Sequence, residues 1–205
     1  MLYKFVYHFF APFIVLPFLR IFNRIKISGF GSIPANGAAV VIANHISMWD
    51  PAIMFCMIRR RAYFMAKSEL FEVPLLSAIL RRICVFPVKR DGVDRSALKK
   101  ASQVLEEGHV LVIFPEGTRS RTRELLPFKE GAAYIAHRAE AQVIPVFFDN
   151  TPKIFPLGIG QKVRVACGAP IDMAEFRSKK ANSALLEEMT AVFRRCIEEM
   201  KEASA

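Results

Sequence analysis

Apolar residues fall along this chain in two rhythms. Short unbroken runs stand at 38–43, 62–66, 83–86, 110–114 and 143–148, and the more polar stretch 161–167 reads as a further strand. Their length and their small or β-branched composition predict strands, and the runs at 40–43 and 110–114 have the unalternating pattern of strands buried on both faces. Elsewhere apolar positions recur every three or four residues. Ala97, Leu98, Ala101, Val104 and Leu105 share one helical face, with Asp94 placed to cap the helix and Gly108 to end it. Leu185, Leu186, Met189, Val192, Phe193, Cys196, Ile197 and Met200 predict a long helix over 183–201, its broad face packed on a core rather than on a second copy. Shorter helices are expected after Pro51, over 70–80 with a break near Pro74, and over 132–139. Strand, helix and strand in succession imply right-handed parallel crossovers. The pattern therefore predicts a single α/β domain with a mixed, largely parallel sheet flanked by helices. Pro145 lies inside its run and predicts an edge, a bulge or a strand end there.

Residues 1–26 break this rhythm. Positions 5–19 are apolar apart from His8, and Pro12 and Pro17 interrupt them. The stretch is shorter than the ~20 residues of a span and has no small-x-small cleavage site. Its charges, Lys4, Arg20, Arg24 and Lys26, are all positive. A helical segment anchored in the headgroups of an anionic leaflet fits this composition; a helix buried against the body is the alternative. The expected division is 1–26 for this membrane-associating segment and 27–205 for the body.

Totals support that picture. The chain has 205 residues, enough for one domain with a sizeable core, and is 53% hydrophobic with a net charge of +10. Its pI is near 9.7 and its mean hydropathy +0.26. Apolar and basic excess together favour an anionic membrane surface over nucleic acid. The cysteines at 56, 84, 167 and 196 form no CxxC pair and are expected as free thiols in a reducing compartment.

Candidate chemistry gathers after the strand-like runs. Val40-Val41-Ile42-Ala43 leads into Asn44-His45, and Asp50-Pro51 follows. Pro51 suits a first helical position and Asp50 a cap before it. His45 then stands at a strand's end, the edge where open α/β sheets bind ligands. A histidine there can take a proton from a hydroxyl, and a carboxylate on its far nitrogen would fix its tautomer. On these residues alone, His45 as a packing residue and Asp50 as a mere cap stand equally. Lys89 and Arg90 follow the 83–86 run; they suit a phosphomonoester or an exposed surface. In Phe114-Pro115-Glu116-Gly117-Thr118-Arg119-Ser120, Gly117 permits a tight turn, Arg119 can clamp a phosphate and Thr118 can add a hydrogen bond. Glu116 is odd beside an anion. Lys129 is a further phosphate candidate, while Arg121 and Arg123 suit headgroups or solvent. The basic cluster at 59–61 could meet lipid phosphate or an acidic acyl carrier. There is no glycine-rich nucleotide fingerprint, no metal-ligand spacing and no Gly-x-Ser-x-Gly elbow.

His45-x4-Asp50, preceded by Asn44, resembles the first sequence block of the glycerolipid acyltransferases, the 1-acylglycerol-3-phosphate acyltransferase family. Phe86-Pro87-Val88-Lys89-Arg90 resembles the second, the stretch from Phe114 to Ser120 the third, and Val143-Ile144-Pro145-Val146 the fourth. The four occur in the family's order across about half the chain. The resemblance implies transfer of an acyl group from acyl-coenzyme A or an acyl-carrier-protein thioester to the sn-2 hydroxyl of lysophosphatidic acid, giving phosphatidic acid. It implies His45 as base, Asp50 as its orienting partner, and Arg90, Arg119 and Lys89 on the acceptor phosphate. Glu116 would belong to the acceptor site, and Val143, Ile144 and Pro145 would lie near the acyl chain. No metal or cofactor is expected beyond the thioester co-substrate. The expected partners are lysophospholipid, thioester, an anionic membrane surface and, as a candidate, acyl carrier protein, at the cytoplasmic face of the cell membrane. Rival readings are another acceptor, such as glycerol 3-phosphate or another lysolipid, and a non-catalytic lipid-binding protein.

Overall fold

A computed structural model describes residue 9 and residues 13–89, 92–154 and 160–204. Its strands are β1 (Arg24–Ser28), β2 (Ala39–Ala43), β3 (Ala62–Lys67), β4 (Val85–Val88), β5 (Val110–Ile113), β6 (Gln142–Asp149) and β7 (Lys162–Cys167). Its helices are α1 (Leu16–Phe22), α2 (Trp49–Met57), α3 (Pro74–Arg82), α4 (Arg95–Glu106), α5 (Gly131–Arg138), α6 (Ala174–Arg177) and α7 (Ser183–Glu202). The strands form one sheet in the order β1-β7-β6-β2-β5-β3-β4. Neighbours are parallel except β6 and β7. This is the mixed, largely parallel sheet that the apolar runs predict.

β2 lies near the middle and explains the layering. Ala39, Val40, Val41, Ile42 and Ala43 are all fully buried, because helices cover both faces of the sheet. Val40 and Ile42 point with Leu111, Ile113 and Phe147 towards α4, α5 and α7. Val41 and Ala43 point with Val112, Ile144 and Phe148 towards Leu19 of α1 and Ile53 and Met54 of α2. Ala97, Ala101, Val104 and Leu105 are the buried face of α4, as their spacing requires. Burial of a side chain such as Leu105 stabilises by about 1.5–3 kcal/mol.

Several local expectations change. Residues 24–28 form a strand, although the composition of 1–26 predicts a helical segment; the boundary drawn after Lys26 falls inside β1. The pattern there is exposed cation and half-buried isoleucine in alternation, typical of an edge strand. Gly29 follows with φ of +78°, and a Cβ there would sit 1.8 Å from the Cys167 carbonyl oxygen, so only glycine lets β1 close against β7. Cys84 falls inside the strand predicted at 83–86 but precedes the observed β4; its φ of +67° makes it the turn that delivers that strand. Pro145 sits in a central strand, not at an edge. Its carbonyl accepts from Gly168 N on the side where β7 has already ended, so the missing amide interrupts no ladder bond. Cys56, Cys84 and Cys167 are buried free thiols and Cys196 is half-buried. Burial pushes the Cys56 and Cys167 thiols up to about 12, which makes them inert packing groups. Among the described residues no helix is long and apolar enough to cross a membrane.

Candidate active site

The parallel strands bring the predicted loops to one edge of the sheet. β2, β5, β6, β3 and β4 all end there, and β6, β2 and β5 are neighbours. Asn44 continues β2 with its side chain: Nδ2 donates to the Phe148 carbonyl at 2.9 Å, and Phe148 N donates to Oδ1 at 2.7 Å. This clasp to β6 fixes where the chain leaves the sheet, and His45 is the next residue.

His45 Nδ1 lies 2.9 Å from Asp50 Oδ2. Asp50 is fully buried. Its Oδ2 also accepts from the backbone amides of Ile46 and Ser47, each at 2.8 Å. Its Oδ1 accepts from Thr151 Oγ1 at 2.5 Å. A buried carboxylate is costly unless its oxygens are satisfied, and here four donors satisfy them. Asp50 is therefore not the helix cap that Asp50-Pro51 predicts. The cap position of α2 is Met48, with no side-chain cap bond, and the carboxylate turns back onto the loop instead.

The carboxylate at Nδ1 holds the ring proton on that side and leaves the Nε2 lone pair outward. Nε2 has no hydrogen-bond partner among the described residues, and the side chain is 15% exposed. The Phe114 ring stacks on the imidazole at 4.3 Å between centroids. The ring is thus fixed at one nitrogen and one face, and open at the nitrogen that a hydroxyl could reach.

Glu116 is placed differently from the acceptor contact that the resemblance implies. It is 4% exposed; Oε1 accepts from His45 N at 2.7 Å and Oε2 from Leu126 N at 3.0 Å. Burial moves its carboxyl upward from the ordinary value, and the two amides oppose that shift. Ser120 N donates to the His45 carbonyl at 2.8 Å. The backbone of His45 is therefore held from both sides by the loop after β5. Glu116 ceases to be odd beside an anion, because its oxygens face amides beneath the loop.

Gly117 turns that loop with φ of +68°, and a Cβ there would come within 3.1 Å of the Lys129 side chain. Lys129 N donates to the Pro115 carbonyl at 2.9 Å, which folds 129 back beside the turn. Thr118, Arg119 and Lys129 are exposed at the rim, as are Arg121 and Arg123. Lys89 is also exposed; its backbone amide donates to Asp94 Oδ2 at 2.9 Å, tying this loop to the start of α4. β4 stands three strand positions from β2, about 14 Å at the usual inter-strand spacing, so Lys89 approaches from the far side of the edge. Arg90 lies outside the described residues.

Other predicted residues are not brought to this rim. Val143, Ile144 and Pro145 are buried inside β6; Val143 and Ile144 face opposite layers of the core. The 59–61 cluster precedes β3 and so lies at the opposite edge of the sheet. There Arg60 donates to the carbonyls of Gly37 and Gly108, and the Arg61 guanidinium sits over the Tyr63 ring at 5.1 Å. Conversely, Thr151 is a site residue that the motifs miss. It lies 101 positions from Asp50, and the only sequence signal is the turn-forming Asn150-Thr151-Pro152 at the end of β6.

Comparison with known proteins completes the picture. The family model described as Acyltransferase matches residues 24–149, a range that holds the His45, Asp50 and Glu116 loops. A 1-acyl-sn-glycerol-3-phosphate acyltransferase of Bacillus subtilis is 30% identical over 174 residues, with 82% of this chain and 86% of that one covered. A chloroplastic 1-acyl-sn-glycerol-3-phosphate acyltransferase of Arabidopsis thaliana is 31% identical over 180 residues; this chain spans 50% of its length. Among solved structures, the 1-acyl-sn-glycerophosphate (LPA) acyltransferase PlsC from Thermotoga maritima matches with a TM-score of 0.74 at 27% identity, covering 97% of this chain and 80% of that one.

Proposed function

The chain belongs to the 1-acyl-sn-glycerol-3-phosphate acyltransferase family, and from that premise we propose that it transfers a fatty acyl group from a coenzyme A or acyl-carrier-protein thioester to the sn-2 hydroxyl of 1-acylglycerol 3-phosphate, forming phosphatidic acid. The observation that carries this reading is the His45–Asp50 pair at 2.9 Å, with Nε2 outward. The acceptor hydroxyl gives its proton to Nε2 as its oxygen attacks the thioester carbonyl carbon. The carbon–sulfur bond then breaks, and the departing thiolate takes the proton from the imidazolium. Asp50 stabilises that imidazolium, and Thr151 with the amides of Ile46 and Ser47 holds Asp50 in place. No acyl-enzyme forms, because the acceptor is itself the nucleophile.

Arg119, Lys129, Lys89 and Arg90 hold the acceptor phosphate. The oxyanion of the tetrahedral intermediate needs donors. The amides of His45, Ile46, Ser47, Gly117 and Ser120 are already engaged, which leaves those of Met48, Thr118 and Arg119 for this role. Attachment is peripheral, at the cytoplasmic leaflet, through the N-terminal segment. The exposure of Phe13, Ile14 and Ile21 supports it, while Leu19 alone of α1 is buried in the core.

The test mixes the protein with acyl-coenzyme A, lysophosphatidic acid and a thiol reagent. Thiol release that requires the acceptor, with phosphatidic acid formed, is the expected result. Release without acceptor would mean a thioesterase, and none either here or with an acyl-carrier-protein thioester in place of acyl-coenzyme A would mean a binding protein. A panel including glycerol 3-phosphate and other lysolipids then fixes the acceptor.

A further inference from the structure

α3 is rich in apolar residues yet buries none of them. It lies on the same face of the sheet as α1 and α2: its inner Leu80, with Phe71 and Ile83, packs against the cluster that holds Leu19, Ile53 and Met54. Its outer side is a different matter. Leu75 is 74% exposed and Ile79 42% exposed. Leu75, Ala78, Ile79 and Arg82 fall on one helical stripe of two turns, apolar for its first turn and ending in a cation. Leu70 and Val73, just before the helix, are also exposed. A contiguous exposed apolar stripe of this kind marks an interaction surface.

Position and charge say what covers it. α3 follows the end of β3, so Leu70, Val73 and Leu75 stand on the edge of the sheet that carries His45. On the other flank of the same face, α1 and the residues before it expose Phe13, Ile14 and Ile21, and Met48 is exposed between the two flanks. The intervening rim carries exposed Arg119 and Lys129, and exposed Lys89 stands at its far end beyond α3. Two apolar flanks around a basic rim complement a bilayer with anionic headgroups. They do not complement a second copy of a chain with net charge +10, whose Arg81 and Arg82 would meet their own kind.

We propose that the outer stripe of α3 is a second membrane-contact surface, seated in the interfacial layer of an anionic leaflet opposite the N-terminal segment. The His45 edge then faces the bilayer between two contacts. This deepens and rests on the lipid-acceptor reading above, since an acceptor held in the leaflet reaches Nε2 without leaving it.

The test uses the full chain with Leu75→Gln and Ile79→Gln combined, both at exposed positions that the fold does not need. Sedimentation with phosphatidylglycerol–phosphatidylcholine vesicles should show partitioning reduced about tenfold, the scale of two interfacial apolar side chains. Turnover of a vesicle-borne acceptor should fall in parallel, while turnover of a short-chain soluble acceptor stays unchanged. Separately, Leu75→Trp should add a blue-shifted fluorescence component on vesicles, over the response of Trp49. Unchanged partitioning without that component would overturn the proposal. So would a dimer in solution that the double variant converts to monomer, which would assign the stripe to a second copy. Vesicle partitioning is read without turnover, so failure of the acyl-transfer reading shows only in the acceptor assays.

Discussion

The loop after β2 and the loop after β5 lie side by side on one edge of the sheet and are built on opposite plans. In the first, Asn44, Ser47 and Asp50 are buried, and each is hydrogen-bonded to backbone or to a neighbouring side chain. In the second, Glu116 and Ser120 are buried and fasten the loop to His45, while Thr118, Arg119, Arg121 and Arg123 stand in solvent. On the proposed mechanism the difference separates two tasks. A proton acceptor must be held in one tautomer and one orientation, so its surroundings are rigid and saturated with hydrogen bonds. A phosphate can be gathered by long cations that settle around it, so those side chains remain exposed until it arrives.

The comparison breaks most completely at His45. His45→Ala should lower turnover by about 10²–10⁴-fold, the usual scale of general-base catalysis, with the circular dichroism spectrum preserved. Near-normal turnover in the folded variant would end the mechanism. Arg119→Ala should raise the apparent KM for acceptor about ten- to a hundred-fold and leave that for the thioester unchanged, as expected for one lost charge-assisted pair. A defect confined to the donor would move Arg119 to the other ligand.

Thr151→Val sharpens the contrast from the rigid side. It leaves Asp50 Oδ1 without its donor and should lower stability by about 1–3 kcal/mol in denaturant titration, with a loss of turnover that Thr151→Ser restores. Asp94→Ala gives the smallest effect, about 1 kcal/mol, through loss of the α4 cap. Hydrogen bonds, led by that from the Lys89 amide, hold the Asp94 carboxyl down from 3.8 to about 2. A depressed carboxylate stabilises the fold above its unfolded value. The gap between wild type and variant should therefore be full above pH 4 or so and close as pH falls through about 2, measured by thermal melts across that range.

The sequence discloses most where side-chain pattern and environment agree. Val110 to Ile113 reads as a doubly covered strand because nothing polar interrupts it, and α4 because its apolar residues, cap and terminal glycine all point the same way. β1 is hidden by its cations, which an edge strand can expose at little cost. His45 and Asp50 are legible as a pair, but the fate of Asp50 is not: the same Asp-Pro step can cap a helix or turn inward. Only the fold brings in Thr151 and the β5 loop to decide it. Glu116 is misread for a related reason. A carboxylate in a basic loop looks like a ligand contact until the amides of His45 and Leu126 are found beneath it.

The pairing of β1 with β7 also has a temporal side. Among the described residues β7 is the sole strand partner of β1, and it lies near the other end of the chain. At ribosomal rates of roughly 5–20 residues per second, on the order of ten seconds separate the emergence of the two strands. The sheet cannot be completed during that interval, while the aromatic N-terminal residues are already outside the ribosome. The order of synthesis thus gives the aromatic N-terminal residues a head start over the sheet that β1 will later join.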